Sequence, residues 1–265
     1  YGDDAQVYFG CDPASSGLIN PIQVGGDCDD ADPTLNPVDT PICEKDHCGT
    51  IAGSEVWKAG VIHYVTCDVQ VTGSDRPRLT IEDGSTVFFD PSTKIRVGTG
   101  DAGSIDVQGT NLGVLFTSIE KVPQEGDYGG LSIESLAEDS TIDGLTIQFA
   151  GGNGNLAGLK VNTSEDLTVR NSTFRRNAGD GLRVTGGFPL VHDSTFVLNE
   201  GNGVYVAANQ GLSRLDSNGT PGPSFTDNYI NQNGGRPISV PGSHADELDP
   251  LTTILDDTSS GAGNT

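Results

Sequence analysis

A short glycine-led strand recurs along this chain, and the recurrence limits the possible folds more than any other feature. Gly130-Leu131-Ser132-Ile133 returns as Gly158-Leu159-Lys160-Val161, Gly181-Leu182-Arg183-Val184 and Gly203-Val204-Tyr205-Val206. Pro237-Ile238-Ser239-Val240 is a looser fifth copy, and successive copies are 28, 23, 22 and 34 residues apart. A second series, beginning at Thr141, Thr168, Val191 and Phe225, keeps phase with the first. The longest spacing holds an insertion over 212–224, rich in Ser, Gly and Pro. A period near 22 residues with several short strands per repeat points to a solenoid.

Within each copy the side chains alternate, Leu159 in, Lys160 out, Val161 in, as a pleated strand requires. The Leu/Asn consensus of leucine-rich repeats is missing, and propeller blades need about twice this period. The predicted fold is therefore all-β: a right-handed, single-stranded parallel β-helix over residues 51–265 with a polar C-terminal tail. Asn177 and Asn199 occupy equivalent turns ahead of Gly-x-Gly, with Asn231 or Asn233 next. Stacked inward, they would form a ladder that satisfies turn backbone groups.

Charge removes some functions. The 265 residues carry 37 Asp+Glu against 14 Lys+Arg, a net charge of −23. Such a chain cannot neutralise a run of phosphates, which argues against nucleic acid, and it is repelled by anionic membrane surfaces. No apolar run approaches a membrane span. Hydrophobic residues are 34% and glycine adds 37 residues, which suits a globular chain. Met is absent, which suggests a mature or trimmed segment with its targeting sequence elsewhere.

Residues 1–50 differ from the rest. They are rich in Asp, Pro and Gly, lack a hydrophobic period, and need staples or metal to order them. Four of the five cysteines, Cys11, Cys28, Cys43 and Cys48, lie here, and Cys67 follows. The densest stretch is Asp27-Cys28-Asp29-Asp30-Ala31-Asp32-Pro33. Close carboxylates repel one another without a cation, and an all-oxygen set favours Ca²⁺. The expected ligands are Asp27, Asp29 and Asp32, with Asp30, Asn36, Asp3, Asp4 and Asp12 available to complete the shell. The spacing lacks the central Gly and terminal Glu of an EF-hand.

The run GDCDDADPTLNP, preceded by YGDD and followed by C-x₄-C, resembles the MopE-type metal-binding motif of secreted bacterial proteins, akin to thrombospondin type 3 calcium repeats. The resemblance covers residues 1–48 and implies a small disulfide- and calcium-stabilised module. It also implies the pairs Cys11–Cys28 and Cys43–Cys48, with Cys67 alone. Farther on, Tyr64-Val65-Thr66-Cys67-Asp68-Val69 and the stretch from Leu79 to Phe89 resemble the first rungs of secreted bacterial β-helix-repeat proteins, a likeness extending over about 50–245. A secreted or cell-surface bacterial location follows as an expectation.

Stacking brings outward residues of successive copies together. Lys160, Arg183 and Tyr205 align, with Ser132 and Ser239 beyond them, and Arg170 aligns with His192 on another face. A basic–aromatic strip on so acidic a chain suits a glycan, the Tyr stacking on a sugar ring. The favoured reading is a calcium-binding β-helix with a structural or adhesive role, with a glycan or a second copy at its solenoid ends as candidate partners. The competing reading is a carbohydrate-active enzyme on the same fold. A hydrolase needs two carboxylates about 5–9.5 Å apart, for which Asp143 with Asp166, or Asp193 with Asp227, could serve. No residue is assigned a catalytic role. His47, His63, His192 and His244 read as scattered.

Overall fold

The computed structural model describes residues 44–163, 167–187, 189–207 and 228–239, with strand segments at 213–215, 221–223, 225–226 and 254–256. Among these residues every regular element is a strand. The chain begins with β1 (Glu44–Ile51), β2 (Glu55–Trp57), β3 (Ile62–Val71) and β4 (Arg78–Ile81). The next turns of the coil are β5 (Thr86–Phe89), β6 (Lys94–Val97) and β7 (Ser104–Gln108), then β8 (Val114–Ser118), β9 (Gly130–Ile133) and β10 (Ser140–Asp143). They continue with β11 (Leu145–Gln148), β12 (Ala157–Asn162) and β13 (Leu167–Arg170), then β14 (Thr173–Arg175), β15 (Asp180–Gly186) and β16 (Leu190–His192). The last turns hold β17 (Thr195–Val197), β18 (Val204–Val206), β19 (Ser213–Leu215), β20 (Pro221–Pro223), β21 (Phe225–Thr226), β22 (Tyr229–Asn231), β23 (Ile238–Ser239) and β24 (Ile254–Asp256).

Every third strand pairs in parallel with the one before it, which makes a parallel β-helix with three faces. One face runs β2-β4-β7-β10-β13-β16-β21. The other two, β6-β9-β12-β15-β18-β23 and β5-β8-β11-β14-β17-β22-β24, are joined because β3 bends and pairs with both β5 and β6. The insertion over 212–224 contains an antiparallel hairpin, β19 with β20, outside the coil. Among the described residues the stack begins at Glu44, since β1 pairs with β3 on both sides of its bend.

Inward columns build the core. Val87, Phe116, Ile147, Phe174, Phe196 and Ile230 lie in register on consecutive rungs. Phe174 and Phe196 stack with centroids 5.1 Å apart and planes at 9°. The expected asparagine ladder is present and its third member is Asn233. Asn177 Nδ2 donates to Asn199 Oδ1 at 2.9 Å, and Asn199 Nδ2 donates to Asn233 Oδ1 at 2.9 Å. Each carbamoyl oxygen also accepts a backbone N–H, from Ala150, Asn177 and Asn199 in turn. This ladder explains the recurring glycine. A Cβ on Gly158 would meet Asn177 Nδ2 at 2.8 Å, one on Gly181 would meet Asn199 Nδ2 at 2.9 Å, and one on Gly203 would meet Asn233 Nδ2 at 2.9 Å.

A second ladder, at the corner between β13 and β14, changes residue type along the stack. Ser172 Oγ, Ser194 Oγ and Asn228 Oδ1 accept the backbone N–H groups of Leu145, Ser172 and Ser194. At both corners the residue before the ladder position takes a positive φ: Arg176 51° and Leu198 59° at one, Asn171 51° and Asp193 51° at the other. That left-handed residue turns the chain sharply enough for the next side chain to point inward.

The expected Cys43–Cys48 pair is not formed, because Cys48 is bonded to Cys67. The reason lies in the register of β1 on β3. His47 pairs with Val65 and Gly49 with Val69, so Cys48 lies at a corner opposite Thr66, Cys67 and Asp68. The two cysteines have Cα atoms 4.8 Å apart, inside the range that a disulfide bridges. Cys11, Cys28 and Cys43 lie outside the described residues.

Candidate functional site

The face built by β6, β9, β12, β15, β18 and β23 carries the expected strip. Lys160 lies in register with Arg183, and Arg183 with Tyr205. Ser132 and Ser239 extend it at the two ends, as the repeats imply. The structure adds Arg96 beside Ser132 and Gln70 beside Arg96. Sequence reading missed Arg96 because Lys94-Ile95-Arg96-Val97 keeps the alternation but lacks the leading glycine. The strip from Lys160 to Tyr205 spans two strand spacings, about 10 Å.

Its parts are held in place by one another. Arg183 Nη1 donates to the buried Asp180 Oδ2 at 2.7 Å, and the guanidinium carbon lies 4.1 Å from the Tyr205 ring centroid. Arg183 thus stacks on the aromatic ring with its charge balanced beside it. Toward the other end, Arg96 Nε and Ser132 Oγ both donate to Glu134 Oε1, at 3.2 and 2.9 Å. Lys160, Arg183 and Tyr205 are each half-buried, so their rotamers are restricted by the stack. Such a strip can offer hydrogen-bond donors and a ring edge to a polar ligand without much ordering cost on binding.

The second aligned pair is also in register: Arg170 with His192, Asp143 with Arg170, and Gln108 with Asp143. Asp143 is 4% exposed, and both its oxygens are engaged. Oδ2 accepts from Arg170 Nε at 2.9 Å and Nη2 at 2.8 Å, and Oδ1 accepts from Asn171 Nδ2 at 2.7 Å. His192 Nδ1 contacts Asp193 Oδ2 at 2.6 Å. Asp166 and Asp227, the partners each hydrolase pair would need, lie outside the described residues. So do the expected calcium ligands Asp27, Asp29, Asp32, Asp30, Asn36, Asp3, Asp4 and Asp12. Among the described residues, no group of three or more His, Cys, Asp or Glu is placed to hold a metal ion.

A family model described as a right-handed beta helix region matches residues 50–245. The chain belongs to that right-handed β-helix family. No curated protein and no solved structure matches it. Among the described residues of this β-helix, no helix is long and apolar enough to cross a membrane.

One cluster in the β-helix corrects the sequence reading. His47 and His63, taken there as scattered, are neighbours on β1 and β3, with His47 Nε2 2.9 Å from His63 Nδ1. His63 Nε2 lies 3.1 Å from the Lys58 carbonyl, and His47 Nδ1 lies 3.2 Å from Glu55 Oε1. Trp57 stacks on both imidazoles, at 4.0 and 5.3 Å between centroids. Burial is the main cause that pushes the His63 imidazole down to about 4. The His47 hydrogen bond is the main cause that holds the Glu55 carboxyl below its ordinary value. Sequence reading missed the pair because His47 lies in register with Val65, two residues beyond His63, so the phase of the repeat does not align them.

Proposed function

We propose that this chain is a secreted or cell-surface β-helix with a structural and adhesive role, whose Lys160–Arg183–Tyr205 strip binds a glycan. The Asp-rich segment before it binds Ca²⁺ through Asp27, Asp29 and Asp32, with Asp30, Asn36 and Asp4 completing the shell. The observation that carries this reading is the in-register stack itself, with the Arg183 guanidinium 4.1 Å from the Tyr205 ring centroid. A cation stacked on an aromatic ring offers the ring edge and guanidinium N–H groups to a sugar and its hydroxyls. Self-association through the solenoid ends belongs to the same reading, because an unpaired strand edge invites pairing.

Carbohydrate hydrolysis on the same fold is less well supported. A general acid must hold a proton for the leaving oxygen, whereas Asp143 accepts from Arg170 and Asn171 on both oxygens. The deciding experiment is calorimetric titration with neutral and uronate oligosaccharides, run on the wild type and on Tyr205→Ala. The expected result is binding weakened at least about tenfold in the variant, the loss of one good contact of about 1.4 kcal/mol, with the melting temperature nearly unchanged. Unchanged binding in the variant, or release of shortened product by the wild type, would overturn this reading.

A further inference from the structure

Along the strip every cation but one already has its carboxylate. Arg96 Nε donates to Glu134 Oε1 at 3.2 Å, and Arg183 Nη1 donates to Asp180 Oδ2 at 2.7 Å. Both carboxylates are held by further donors. Glu134 also accepts from Ser132 Oγ at 2.9 Å. Asp180, 3% exposed, accepts from Asn202 N and Nδ2 on its other oxygen, at 2.9 and 2.7 Å. Lys160 lies in register between Ser132 and Arg183, and among the described residues it is paired with no carboxylate. Lys94, on the same face but off the strip, donates to the Asn153 carbonyl at 3.4 Å. Arg96, Lys160 and Arg183 against Glu134 and Asp180 therefore leave the strip one positive charge, on Lys160, in a chain of net charge −23.

The neighbours of Lys160 on the strip suit hydroxyls and not a second anion. The Ser132 proton is committed to Glu134, so the Ser132 oxygen meets a ligand as an acceptor. A sugar hydroxyl can donate to it, whereas a carboxylate has no proton to give and is repelled by Glu134. On the other side the Arg183 guanidinium carbon lies 4.1 Å from the Tyr205 ring centroid, with its charge balanced by Asp180. Its remaining N–H groups can donate to sugar oxygens, and a second anion gains little beside a cation that is already neutralised. On the glycan reading of this strip, we propose that its ligand is an acidic heteroglycan: one uronic acid with its carboxylate on Lys160, bordered by neutral sugars at Ser132 and at Arg183–Tyr205. A polymer with a carboxylate on every sugar is disfavoured, because Glu134 and Asp180 act against the additional charges.

The test is calorimetric titration at low salt with three tetrasaccharides: one alternating glucuronate with N-acetylglucosamine, its carboxyl-reduced form, and an all-galacturonate chain. The wild type should bind the alternating chain about fivefold more tightly than its reduced form, the strength of one partly exposed ion pair. The all-galacturonate chain should bind no more tightly than the reduced form. In Lys160→Gln the alternating and reduced chains should bind alike, with the melting temperature unchanged. Equal binding of those two chains by the wild type, or tightest binding of the all-galacturonate chain, would overturn the selectivity and leave the glycan surface standing. A preference that persists in Lys160→Gln would overturn it as well. If the wild type binds none of the three, the glycan surface itself is contradicted and the selectivity falls with it.

Discussion

The first rung and the middle of the solenoid are fastened by different chemistry. In the middle, from β11 to β18, each turn repeats its neighbour: phenylalanine on phenylalanine, asparagine on asparagine, serine on serine. At the first rung nothing repeats. β1 is held to β3 by a disulfide, two imidazoles in contact and a tryptophan stacked across them. The reason is geometric. A middle rung meets a copy of itself on both sides, so an amide that donates forward and accepts from behind is satisfied by identical neighbours. Among the described residues β1 has a partner strand on one side only, β3. Among the described residues no copy of β1 precedes it to continue a self-repeating ladder, and groups of other kinds fasten β1 to β3.

Three experiments test this contrast. The largest effect should come from interrupting a ladder. Asn199 donates to Phe174 O and Asn233, and accepts from the backbone and side chain of Asn177. Asn199→Ala leaves several of these buried groups unpaired, which should cost about 4 kcal/mol at one to three per orphaned group. Denaturant unfolding would measure it, and a loss below about 1 kcal/mol would mean that water replaces the ladder.

Acidification should come next and should act on the first rung alone. His63 is depressed from 6.5 to about 4 in the fold. Below 6.5 the unfolded chain takes up a proton that the folded one refuses, so stability is full above 6.5, falls as pH drops toward about 4, and is level below that. The shift corresponds to roughly 3 kcal/mol. Glu55, also depressed, acts in the same direction as pH falls through its folded value. Exchange at β1 should rise between pH 7 and pH 4 relative to β12 and β15, and an equal response along the solenoid would contradict the contrast. The smallest effect concerns calcium. Binding to the folded segment alone should stabilise it by about 2.7 kcal/mol at 100-fold excess over Kd. Chelation should open protease sites within residues 12–40 and leave sites after residue 60 unchanged. An unchanged digest would count against the calcium site.

The parts that were legible in the sequence are those that repeat. Gly158, Gly181 and Gly203 marked one face, Asn177 and Asn199 marked a corner, and Lys160, Arg183 and Tyr205 fell into register because they occupy one phase of that repeat. The second corner ladder was harder to read, because Ser172, Ser194 and Asn228 share a role but not a residue type. Cys48–Cys67 and His47–His63 could not be read by phase. β1 opposes Cys48 alone to Thr66, Cys67 and Asp68 of β3, and that irregular corner shifts the count. Chemistry that occurs once has no period to reveal it.

The proposed glycan-binding surface is the Lys160–Arg183–Tyr205 strip. Its most direct test is to map backbone and side-chain NMR shifts while titrating a homogeneous oligosaccharide that binds. The expected result is saturable changes centred on Lys160, Arg183 and Tyr205, fading toward Ser132 and Ser239, with the β14 and β17 face silent. Changes centred on the β14 and β17 face, or spread evenly over the solenoid, would contradict it.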